Sequence, residues 1–494
     1  MIWNLRQHRR LINLWLGPAT FLLLEAIGGP ESMSQEAFHV LASTAWIAIW
    51  WISEALPISV TALLPIILFP LTGAVELATT TAAFGHKYIF LYMGGFILAI
   101  AIEKWGLHKR IALNIINHIG SGTNQIILGF MIATAFLSMW ISNTATAVMM
   151  VPIGAAIVSQ FSLGKSLKRD EHPLGKTLML AIAYSASIGG FATLIGTPPN
   201  LVLAGVLEQN YNVKLSFFEW MSFGVPISLL LLFICWKFLT KYTLNLEEKE
   251  FPGGKEQIKK LRSELGKITR EERSVLIVFI MTAVCWMGRS LIQKVIPTID
   301  DTIIAVIAGT VLFVIPTGKK GEMLIKWEEA VKIPWGIILL FGGGMALAKG
   351  FTSTGLAEWI ALQMSNMQGL SLLLLILVLV AIVNFLTEIT SNLATTAMLL
   401  PILAPMALAF DLHPYMILVS VTIAASCAFM LPVATPPNAV VFGSGYLRIP
   451  DMIRAGIFMN VISILIITIF TYYFLPVVWG FDPGQFPEMF KAVP

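Results

Sequence analysis

Residues 138–152 have the sequence SMWISNTATAVMMVP, in which the polar tripeptide Ser142-Asn143-Thr144 separates two apolar stretches of helical character. The same pattern returns at residues 386–401 as LTEITSNLATTAMLLP. The halves of each copy are too short to cross a bilayer alone, since a crossing helix needs about 20 residues. A polar tip between two such halves is typical of a helical hairpin that enters the membrane and returns. The repetition predicts a binding site with two related parts.

A second pair of matched elements follows the two copies. Residues 195–205 have the sequence IGTPPNLVLAG, and residues 433–443 have the sequence VATPPNAVVFG. The second proline of each pair removes a backbone donor, and the first proline restricts the residue before it. We therefore expect one broken helix in each half of the chain, with the breaks at 196–199 and 434–437.

The composition places these elements in a membrane. Of the 494 residues, 57% are hydrophobic and only 12% are charged, and the mean hydropathy is +0.80. A soluble domain carries about 25% charged residues. The net charge of +4 is small and confined to loops, so it does not indicate a nucleic-acid partner. The cysteines Cys235, Cys285 and Cys427 fall in apolar segments, so we interpret them as small buried hydrophobic residues rather than disulfides or metal ligands.

The chain starts with a basic segment that contains Arg6, Arg9 and Arg10, followed by an apolar run at 11–27. This run lacks a small-x-small cleavage site. We therefore predict a retained first helix rather than a signal peptide.

The remaining apolar segments predict an all-α polytopic membrane protein. Crossing helices are predicted near residues 11–28, 39–56, 57–72, 88–103, 217–240, 274–296, 302–316 and 334–349, with a last one that ends near 480. Amphipathic stretches at 103–118 and 355–366 are predicted to lie in the membrane interface. The hairpins are placed at about 126–160, with the tip at 142–144, and at about 370–410; the broken helices start near 174 and 414. With the hairpins counted as non-crossing, the total is roughly eleven spans.

Basic residues are unequally distributed between the two sides of this topology. With a cytoplasmic N-terminus, most Lys and Arg residues fall inside, and only a scatter such as Lys87, Lys214 and Lys294 falls outside. This asymmetry follows the positive-inside rule. It predicts a multi-pass protein of the plasma (inner) membrane with its N-terminus in the cytoplasm and its C-terminus outside.

The matched elements belong to an internal repeat. A spacing of 249 residues relates Gly94 to Gly343 and holds through the two Ser-Asn pairs, and it falls to 238 at the Thr-Pro-Pro-Asn elements. Each half has an odd number of crossings, which inverts the second half relative to the first. The predicted parts are an N-terminal helix at 1–36, a first inverted repeat at 37–240, a cytoplasmic linker at 241–273 and a second inverted repeat at 274–494. Inverted repeats with broken helices near the midplane are the architecture of secondary transporters.

The tips and breaks supply neutral oxygen ligands. Hydroxyl and amide oxygens, together with carbonyls freed at the breaks, suit a hard cation, and helix N-termini suit a carboxylate. The residues concerned are Ser138, Ser142, Asn143, Thr144, Thr387, Ser391 and Asn392. The alternative is that these side chains only bond helix to helix within lipid. The symmetry of the two elements favours a site.

Neither hairpin core and neither break contains lysine or arginine. A dianion buried there would lack a counter-charge from the protein, at high energetic cost. Co-bound sodium ions would supply that charge, which favours cation symport. Glu388 is a candidate functional carboxylate inside the membrane; alternatively, neighbouring backbone or hydroxyl groups simply satisfy it. Glu25 and Glu54 lie near span ends, and we expect them to face the interface.

Over essentially its whole length the chain resembles the divalent anion/sodium symporter family, which carries di- and tricarboxylates or sulfate. The resemblance rests on the two tips and the two Thr-Pro-Pro elements. It implies an elevator-type homodimer, with a fixed scaffold domain and a mobile transport domain that holds the hairpins. One departure is Leu393, because the dicarboxylate pattern of the family has Thr third in both tips.

The resemblance also implies two sodium sites and a substrate site. The first sodium site would consist of Ser138, Ser142, Asn143 and the backbone at Gly196. The second would consist of Thr387, Thr390, Asn392 and the backbone at Ala434. Substrate carboxylates would meet Asn143, Thr144, Asn392 and the region of Pro436. Leu393 would offer the substrate an apolar wall, or alternatively would only pack the hairpin.

The leading hypothesis is a secondary active transporter that imports C4-dicarboxylates of the succinate, malate and fumarate class together with sodium. Its partners would be the small dianion, sodium ions, the lipid bilayer and a second copy of the chain. The alternatives within transport are dicarboxylate exchange, or sulfate or citrate as the substrate. A channel would need a continuous polar pore, whereas these hairpins enter from opposite sides. An enzyme would need a nucleophile, a metal or an acid–base set, and the sequence shows none.

Overall fold

The computed structural model describes residues 2–120, 122–161, 168–243, 254–319, 321–364 and 371–491. Over these residues the regular structure is helical apart from isolated bridge residues, which include the pair Pro316 and Met323, and this confirms the all-α prediction. Five helices in the described part of the chain are long and apolar enough to cross a membrane: Leu77–Lys104, Phe217–Lys241, Trp335–Ser353, Asn392–Ala409 and Ile449–Trp479. The protein is therefore a multi-pass membrane protein, and the total of eleven spans stays a prediction.

The described chain begins with six α-helices before the first amphipathic helix: α1 Ile2–Ile27, α2 Gln35–Ser53, α3 Ile58–Thr61, α4 Leu64–Thr72, α5 Leu77–Ala82 and α6 Lys87–Lys104. The apolar segment predicted at 57–72 corresponds to the apolar stretch Ile58–Thr72, in which a turn at residues 62–63 separates α3 from α4; that it crosses the membrane stays a prediction. Pro65 has no backbone N–H with which to continue the hydrogen-bond ladder from α3. The short helix α5 was not predicted.

The first hairpin and the first broken helix follow: α7 Leu107–Ile119, α8 Thr123–Ser138, α9 Asn143–Phe161, α10 Pro173–Gly190, α11 Pro198–Tyr211 and α12 Phe217–Phe238. Helix α7 is the amphipathic helix expected at 103–118. Helices α8 and α9 form the hairpin, and α10 and α11 are the two halves of the broken helix.

The linker predicted at 241–273 is not a simple loop. Helix α12 continues through a π-helical turn at Leu239–Thr243, a further helix α13 covers Gly254–Glu264, and α14 begins at Arg270. Helix α13 packs against α7 and α9, and its Ile258 is only 2% exposed. An amphipathic segment forms a helix when a neighbouring surface covers its apolar side. Residues 244–253 of the linker lie outside the described residues.

The second half contains the remaining helices: α14 Arg270–Met287, α15 Arg289–Ile292, α16 Asp301–Leu312, α17 Trp327–Ala330, α18 Trp335–Ser353, α19 Leu356–Met364, α20 Leu372–Leu386, α21 Asn392–Ala409, α22 Pro414–Ala425, α23 Pro436–Gly443, α24 Ile449–Ile469, α25 Leu475–Trp479 and α26 Glu488–Lys491. From α18 to α24 the order of elements repeats the order from α6 to α12: a long helix, a short helix, a hairpin, a broken helix and a long helix. The opposite orientation of the two halves in the membrane stays a prediction.

The first segments of the two broken helices form the centre of the molecule. All residues of α22 are buried, and α10 is buried except at Pro173 and Lys176. Helices that are apolar on every side are buried on every side. Helix α10 packs against α8, α9 and α23, and α22 packs against α20, α21 and α24. Each hairpin is thereby held against a broken helix.

The outer helices expose large apolar side chains. Trp15 on α1 is 69% exposed, Leu229 on α12 is 61% exposed and Ile277 on α14 is 53% exposed. Apolar surface of this kind is unfavourable in water and favourable against lipid tails. The three cysteines are free thiols, and Cys235 and Cys427 are buried, which agrees with their interpretation as hydrophobic residues.

Candidate binding site between the two hairpins

The hairpin tips and helix breaks lie a few residues from their predicted positions. The first tip is the non-helical segment 139–142, and Asn143 is already the first residue of α9. The first break covers 191–197 rather than 196–199, because the two prolines begin α11. Proline is well tolerated there, since the first N–H groups of a helix have no partner within it. The second half has the same form.

In the second half, the tip covers 387–391 and the break covers 426–435. Helix α21 begins at Asn392 and α23 begins at Pro436. Four helix N-termini therefore start at the tips and breaks, two in each half of the chain. A helix N-terminus presents free N–H groups and the positive end of the helix dipole, which favour an anion.

One cavity of about 850 Å³ connects both tips and both breaks. Its lining contains most of the residues predicted from the sequence: Ser142, Asn143, Thr144, Gly196, Thr390, Ser391, Asn392, Leu393, Ala434 and Pro436. Ser138 and Thr387 do not line the cavity; each is fully buried directly behind it. The structure therefore brings together residues that are up to 298 positions apart in the chain (436 − 138).

The first tip and the first break meet in a polar cluster. The hydroxyl of Ser138 lies 2.5 Å from Oδ1 of Asn143 and donates to the carbonyl oxygen of Ala186 at 2.7 Å. Ala186 belongs to α10, just before the break. The serine thus joins the end of α8, the start of α9 and the backbone of the broken helix.

The second half repeats this cluster with threonine in place of serine. The hydroxyl of Thr387 donates to Oδ1 of Asn392 at 2.8 Å and lies 2.9 Å from the carbonyl oxygen of Ala425. Ala425 is the last residue of α22, the helix that ends at the second break. The 249-residue spacing therefore relates the hydroxyl and the amide of the two clusters, and in each half the third partner is a carbonyl in the helix before the break.

The oxygen atoms around Asn143 fit a bound cation. Oδ1 of Asn143 faces the carbonyl oxygens of Gly196 and Ala186 as well as the hydroxyl of Ser138. Turning the amide over would let its nitrogen donate to Gly196 at 3.3 Å and to Ala186 at 3.2 Å. In the first orientation several oxygens converge on one point, and a hard cation prefers neutral oxygen ligands of this kind; in the second, the amide N–H groups satisfy the same oxygens.

The asparagines of the two Thr-Pro-Pro-Asn elements hold the breaks in shape. Nδ2 of Asn200 donates to the carbonyls of Phe191 and Thr193 at 3.2 and 2.7 Å. Nδ2 of Asn438 donates to the carbonyls of Ala428 and Leu431 at 3.3 and 3.0 Å. Sequence reasoning did not assign these two residues a role, although their position after both Pro-Pro pairs was the available signal. Unpaired backbone groups in a buried break are costly, so these bonds stabilise it.

Thr390 is already hydrogen-bonded within the second tip. Its hydroxyl lies 2.6 Å from that of Thr395 and donates to the carbonyl of Leu386 at 2.9 Å. The corresponding position in the first half is Ile141, which has no hydroxyl. The two tips therefore differ in polarity at this position.

The other wall of the cavity comes from α2, α6 and α18 and from the segment after α2, up to the start of α3. This wall consists mainly of apolar side chains and backbone, namely Ile52, Ile58, Phe96, Gly336, Ile337 and Leu340. Among the described residues that line the cavity there is no lysine or arginine, and Glu54 is the only acid. Glu54 has a left-handed backbone conformation at φ 46°, and its exposed side chain lies at the cavity; that it faces the membrane interface stays a prediction. Glu25 instead pairs with His39 at 2.8 Å.

The third residues of the two tips differ in environment as well as in type. Thr144 is exposed at the cavity, whereas Leu393 lines it with only 6% of its surface exposed. Leucine cannot donate a hydrogen bond, so the second tip offers an apolar surface where the first offers a hydroxyl.

A multi-pass helical protein with paired hairpin tips and helix breaks around one cavity has the architecture of a secondary transporter. Residues 8–480 match the family described as the sodium:sulfate symporter transmembrane region. The chain belongs to this family, which confirms the resemblance found in the sequence.

Two relatives and two solved structures are informative. The chain is 44% identical over 484 residues to the sodium-dependent dicarboxylate transporter SdcS of Staphylococcus saprophyticus, covering 96% of this chain and 93% of SdcS. The same values hold for SdcS of Staphylococcus aureus. Among solved structures, Neisseria gonorrhoeae MtrF and the Alcanivorax borkumensis YdaH transporter each align with a TM-score of 0.55 at 16% and 14% identity. Each alignment covers 80% of this chain, and 84% and 86% of the respective structures. At such identity these structures support the fold alone.

Proposed function

We propose that this protein carries small dicarboxylates into the cell together with sodium ions, with C4-dicarboxylates such as succinate, malate and fumarate as the preferred class. The observation that carries this proposal is the pair of matching polar clusters around Asn143 and Asn392 at one cavity. The family and the SdcS relatives are sodium-dependent by name, and SdcS is named for dicarboxylates. Sodium is therefore the coupling ion, and the membrane protein is a transporter rather than an enzyme.

Two sodium ions would bind at the two clusters. The first would use Ser138, Ser142, Asn143 and the backbone at Gly196; the second would use Thr387, Thr390, Asn392 and the backbone at Ala434. The convergence of oxygens on Asn143 supports the first assignment. The contact of Thr387 with Asn392 and with the carbonyl of Ala425 supports the second. These ligands are neutral, so a bound sodium ion keeps its positive charge at the site.

The dianion would bind between the two sodium ions. Asn143 and Thr144 would hold one carboxylate, and Asn392 and the N-terminus of α23 at Pro436 would hold the other. The described lining of the cavity contains no basic side chain. A dianion would therefore depend on sodium for charge compensation, since burial of an unpaired charge is very costly. This dependence is the physical basis of coupling.

An elevator movement agrees with the composition of the cavity walls. One wall consists of the hairpin tips and breaks, and the other belongs to α2, α6, α18 and the segment after α2. We propose that the hairpin tips and breaks move as a unit against the opposite wall, within a homodimer. We also propose that residues 37–240 and 274–494 are inverted repeats. They would follow the N-terminal helix at 1–36 and be joined by the linker at 241–273. The protein would reside in the plasma membrane with a cytoplasmic N-terminus and an external C-terminus.

The decisive experiment is uptake of radiolabelled succinate into proteoliposomes, with sodium or potassium outside. We expect uptake with sodium and a sigmoidal dependence on its concentration, because more than one ion binds per dianion. Equal uptake with potassium would contradict sodium coupling. The family description leaves sulfate as a second candidate substrate. Inhibition by excess sulfate or citrate but not by malate or fumarate would favour these alternatives, and uptake that requires internal succinate would favour exchange.

A further inference from the structure

Glu388 is a buried carboxylate within the second tip. It is 3% exposed. Its Oε1 accepts hydrogen bonds from the backbone N–H groups of Phe429 and Met430 at 2.7 and 2.9 Å and from Nδ2 of Asn460 at 2.8 Å. Its Oε2 accepts from the N–H of Leu431 at 3.0 Å. All four partners are donors, which suits the acceptor oxygens of a carboxylate.

These bonds tie the tip to the second helix break. Phe429, Met430 and Leu431 are consecutive residues in the non-helical segment 426–435, where α22 has ended and α23 has not begun. Their N–H groups therefore have no partner within a helix, and Glu388 satisfies three of them together. The sequence-based alternative that backbone groups satisfy this carboxyl agrees with the structure, with Asn460 as an additional donor.

A polar network of α20 and α24 supports the same segment. Nδ2 of Asn384 donates to the carbonyl of Cys427 at 2.7 Å and lies 3.3 Å from the hydroxyl of Ser463. That hydroxyl donates to the carbonyl of Asn460 at 2.9 Å. Asn384, Asn460 and Ser463 are fully buried. The segment 426–435 is thus fixed from two sides by side chains that reach it through tertiary packing.

The first half has no corresponding charge. The 249-residue spacing places Met139 at the position of Glu388. There, the hydroxyl of Thr193 bonds to the carbonyl of Met139 at 2.5 Å and accepts from the N–H of Gly196 at 3.1 Å. Neutral hydrogen bonds therefore fix the first break, whereas a carboxylate fixes the second.

We propose that Glu388 is a positioning residue for sodium at the second site, where it holds the segment 426–435 in its cation-binding shape and supplies a fixed negative charge. The inference rests on the proposed function and extends it. Glu388 directly follows Thr387, and the N–H groups that it binds are three to five residues before Ala434, whose backbone is a proposed sodium ligand. Among the described residues, no lysine or arginine forms an ion pair with Glu388. A buried charge without a counter-ion is destabilising, so a sodium ion beside it is bound more tightly.

The test compares Glu388→Gln, Glu388→Asp and Asn460→Ala. The glutamine has nearly the same shape but no charge, the aspartate keeps the charge with a shorter reach, and Asn460→Ala removes one donor while the three backbone donors remain. Two measurements are made on purified protein: the midpoint of thermal unfolding at increasing sodium without substrate, and succinate uptake into proteoliposomes at varied sodium and succinate. Glu36→Gln serves as the matched control, because Glu36 is an exposed carboxylate on α2.

For Glu388→Gln we expect the sodium concentration at half-saturation to rise about tenfold or more in both measurements, since hydrogen bonds to charged groups are worth about 1.5–3 kcal/mol. The KM for succinate at saturating sodium should stay within about twofold, equivalent to less than about 0.5 kcal/mol. Glu388→Asp and Asn460→Ala should give smaller increases in the sodium requirement, and Glu36→Gln should give none.

A purely structural role for Glu388 would lower the unfolding midpoint or the maximal rate without changing the sodium requirement, and that result would overturn the inference. If Glu388→Gln does not fold, Glu388→Asp decides: an unchanged sodium half-saturation in this variant also overturns it. Failure of the proposed function can be told apart from failure of the inference about Glu388. If the proposed function is wrong, the wild-type protein itself shows neither sodium-dependent uptake nor stabilisation by sodium.

Discussion

The two hairpin–break pairs share one contact pattern but are held together by different forces. In both, a hydroxyl joins an asparagine amide to the end of a helix, through Ser138 and Asn143 in the first half and Thr387 and Asn392 in the second. The first break depends on close backbone approach and neutral hydrogen bonds. The second depends on the carboxylate of Glu388. The two halves thus share the same hydrogen-bond pattern at the tip, whereas the contacts that hold the break differ.

Two glycines make the close approach in the first half possible. A Cβ atom at Gly190 would collide with the side chain of Asn143, and one at Gly196 would collide with the carbonyl oxygen of Gly190. The 238-residue spacing places Ala428 and Ala434 at these positions in the second half. There the backbone has room for a methyl group. The two halves therefore differ in how closely the backbone approaches at these positions, and the carboxylate of Glu388 also holds the second break.

Removal of either asparagine should have the largest effect on transport. Asn143→Ala and Asn392→Ala each delete an amide that, in the proposed function, contacts both the ion and the substrate. Two bonds to charged partners at about 1.5–3 kcal/mol each correspond to a loss of more than about a hundredfold. We expect no measurable succinate uptake from folded, membrane-inserted protein. Ser159→Ala on the same helix is the control, because its hydroxyl only donates to the carbonyl of Ala156. Near-normal uptake by either asparagine variant would mean that the tips only pack helices together and do not bind the ion or the substrate.

Gly196→Ala should weaken sodium binding at the proposed first site, although alanine is the native residue at the equivalent position of the second. The added methyl group must displace the carbonyl of Gly190, and overpacking of this kind costs about 1–3 kcal/mol, or roughly ten- to a hundredfold in sodium affinity. The loss of sodium affinity is measured from the midpoint of thermal unfolding at increasing sodium concentrations. The reciprocal variant Ala434→Gly should change the sodium requirement much less. Equal effects of the two substitutions would contradict the difference in backbone packing.

Leu393→Thr should make the second tip more like the first. A threonine hydroxyl at this position of the cavity wall could donate to a substrate carboxylate and tighten succinate binding by about tenfold. The sodium half-saturation should stay nearly unchanged, because Leu393 is not a proposed ion ligand. Both values are obtained from uptake at varied succinate and varied sodium, with Thr144→Val as the opposite change in the first tip. A shift in sodium affinity without a shift in substrate selectivity would show that the second tip has been assigned wrongly.

The smallest predicted effect distinguishes the starts of α11 and α23. Oγ1 of Thr435 accepts from the N–H of Asn438 at 3.2 Å, whereas Thr197 makes no such cap in α11. Thr435→Val should therefore lower the free energy of unfolding by about 1 kcal/mol. Thr197→Val should have a smaller effect. The two variants are compared by thermal unfolding in detergent without sodium. Equal losses in the free energy of unfolding would mean that the cap does not stabilise the second break.

Much of the site could be predicted because its signals are local. Four helix starts depend on short motifs: two on a polar tip before Asn143 and Asn392, and two on the Thr-Pro-Pro pairs that begin α11 and α23. The bounds were wrong by a few residues, since a proline was expected to interrupt a helix and instead begins one. The helix at Gly254–Glu264 was not predicted. It is stabilised by packing against α7 and α9, and this contact between distant segments cannot be seen in the local sequence.

The sequence by itself determined an all-helical membrane protein, its repeated tips and breaks, its lack of basic residues there and its family. Hydropathy, proline chemistry and repeat spacing are properties of short segments, so they are visible without coordinates. Only the tertiary structure decided that Glu54 lines the cavity and that Glu388 reaches the backbone of Phe429, 41 residues away, and the side chain of Asn460, 72 residues away. Which donor satisfies a buried carboxylate depends on how distant helices pack, because any segment that supplies a free N–H in the right place can do so.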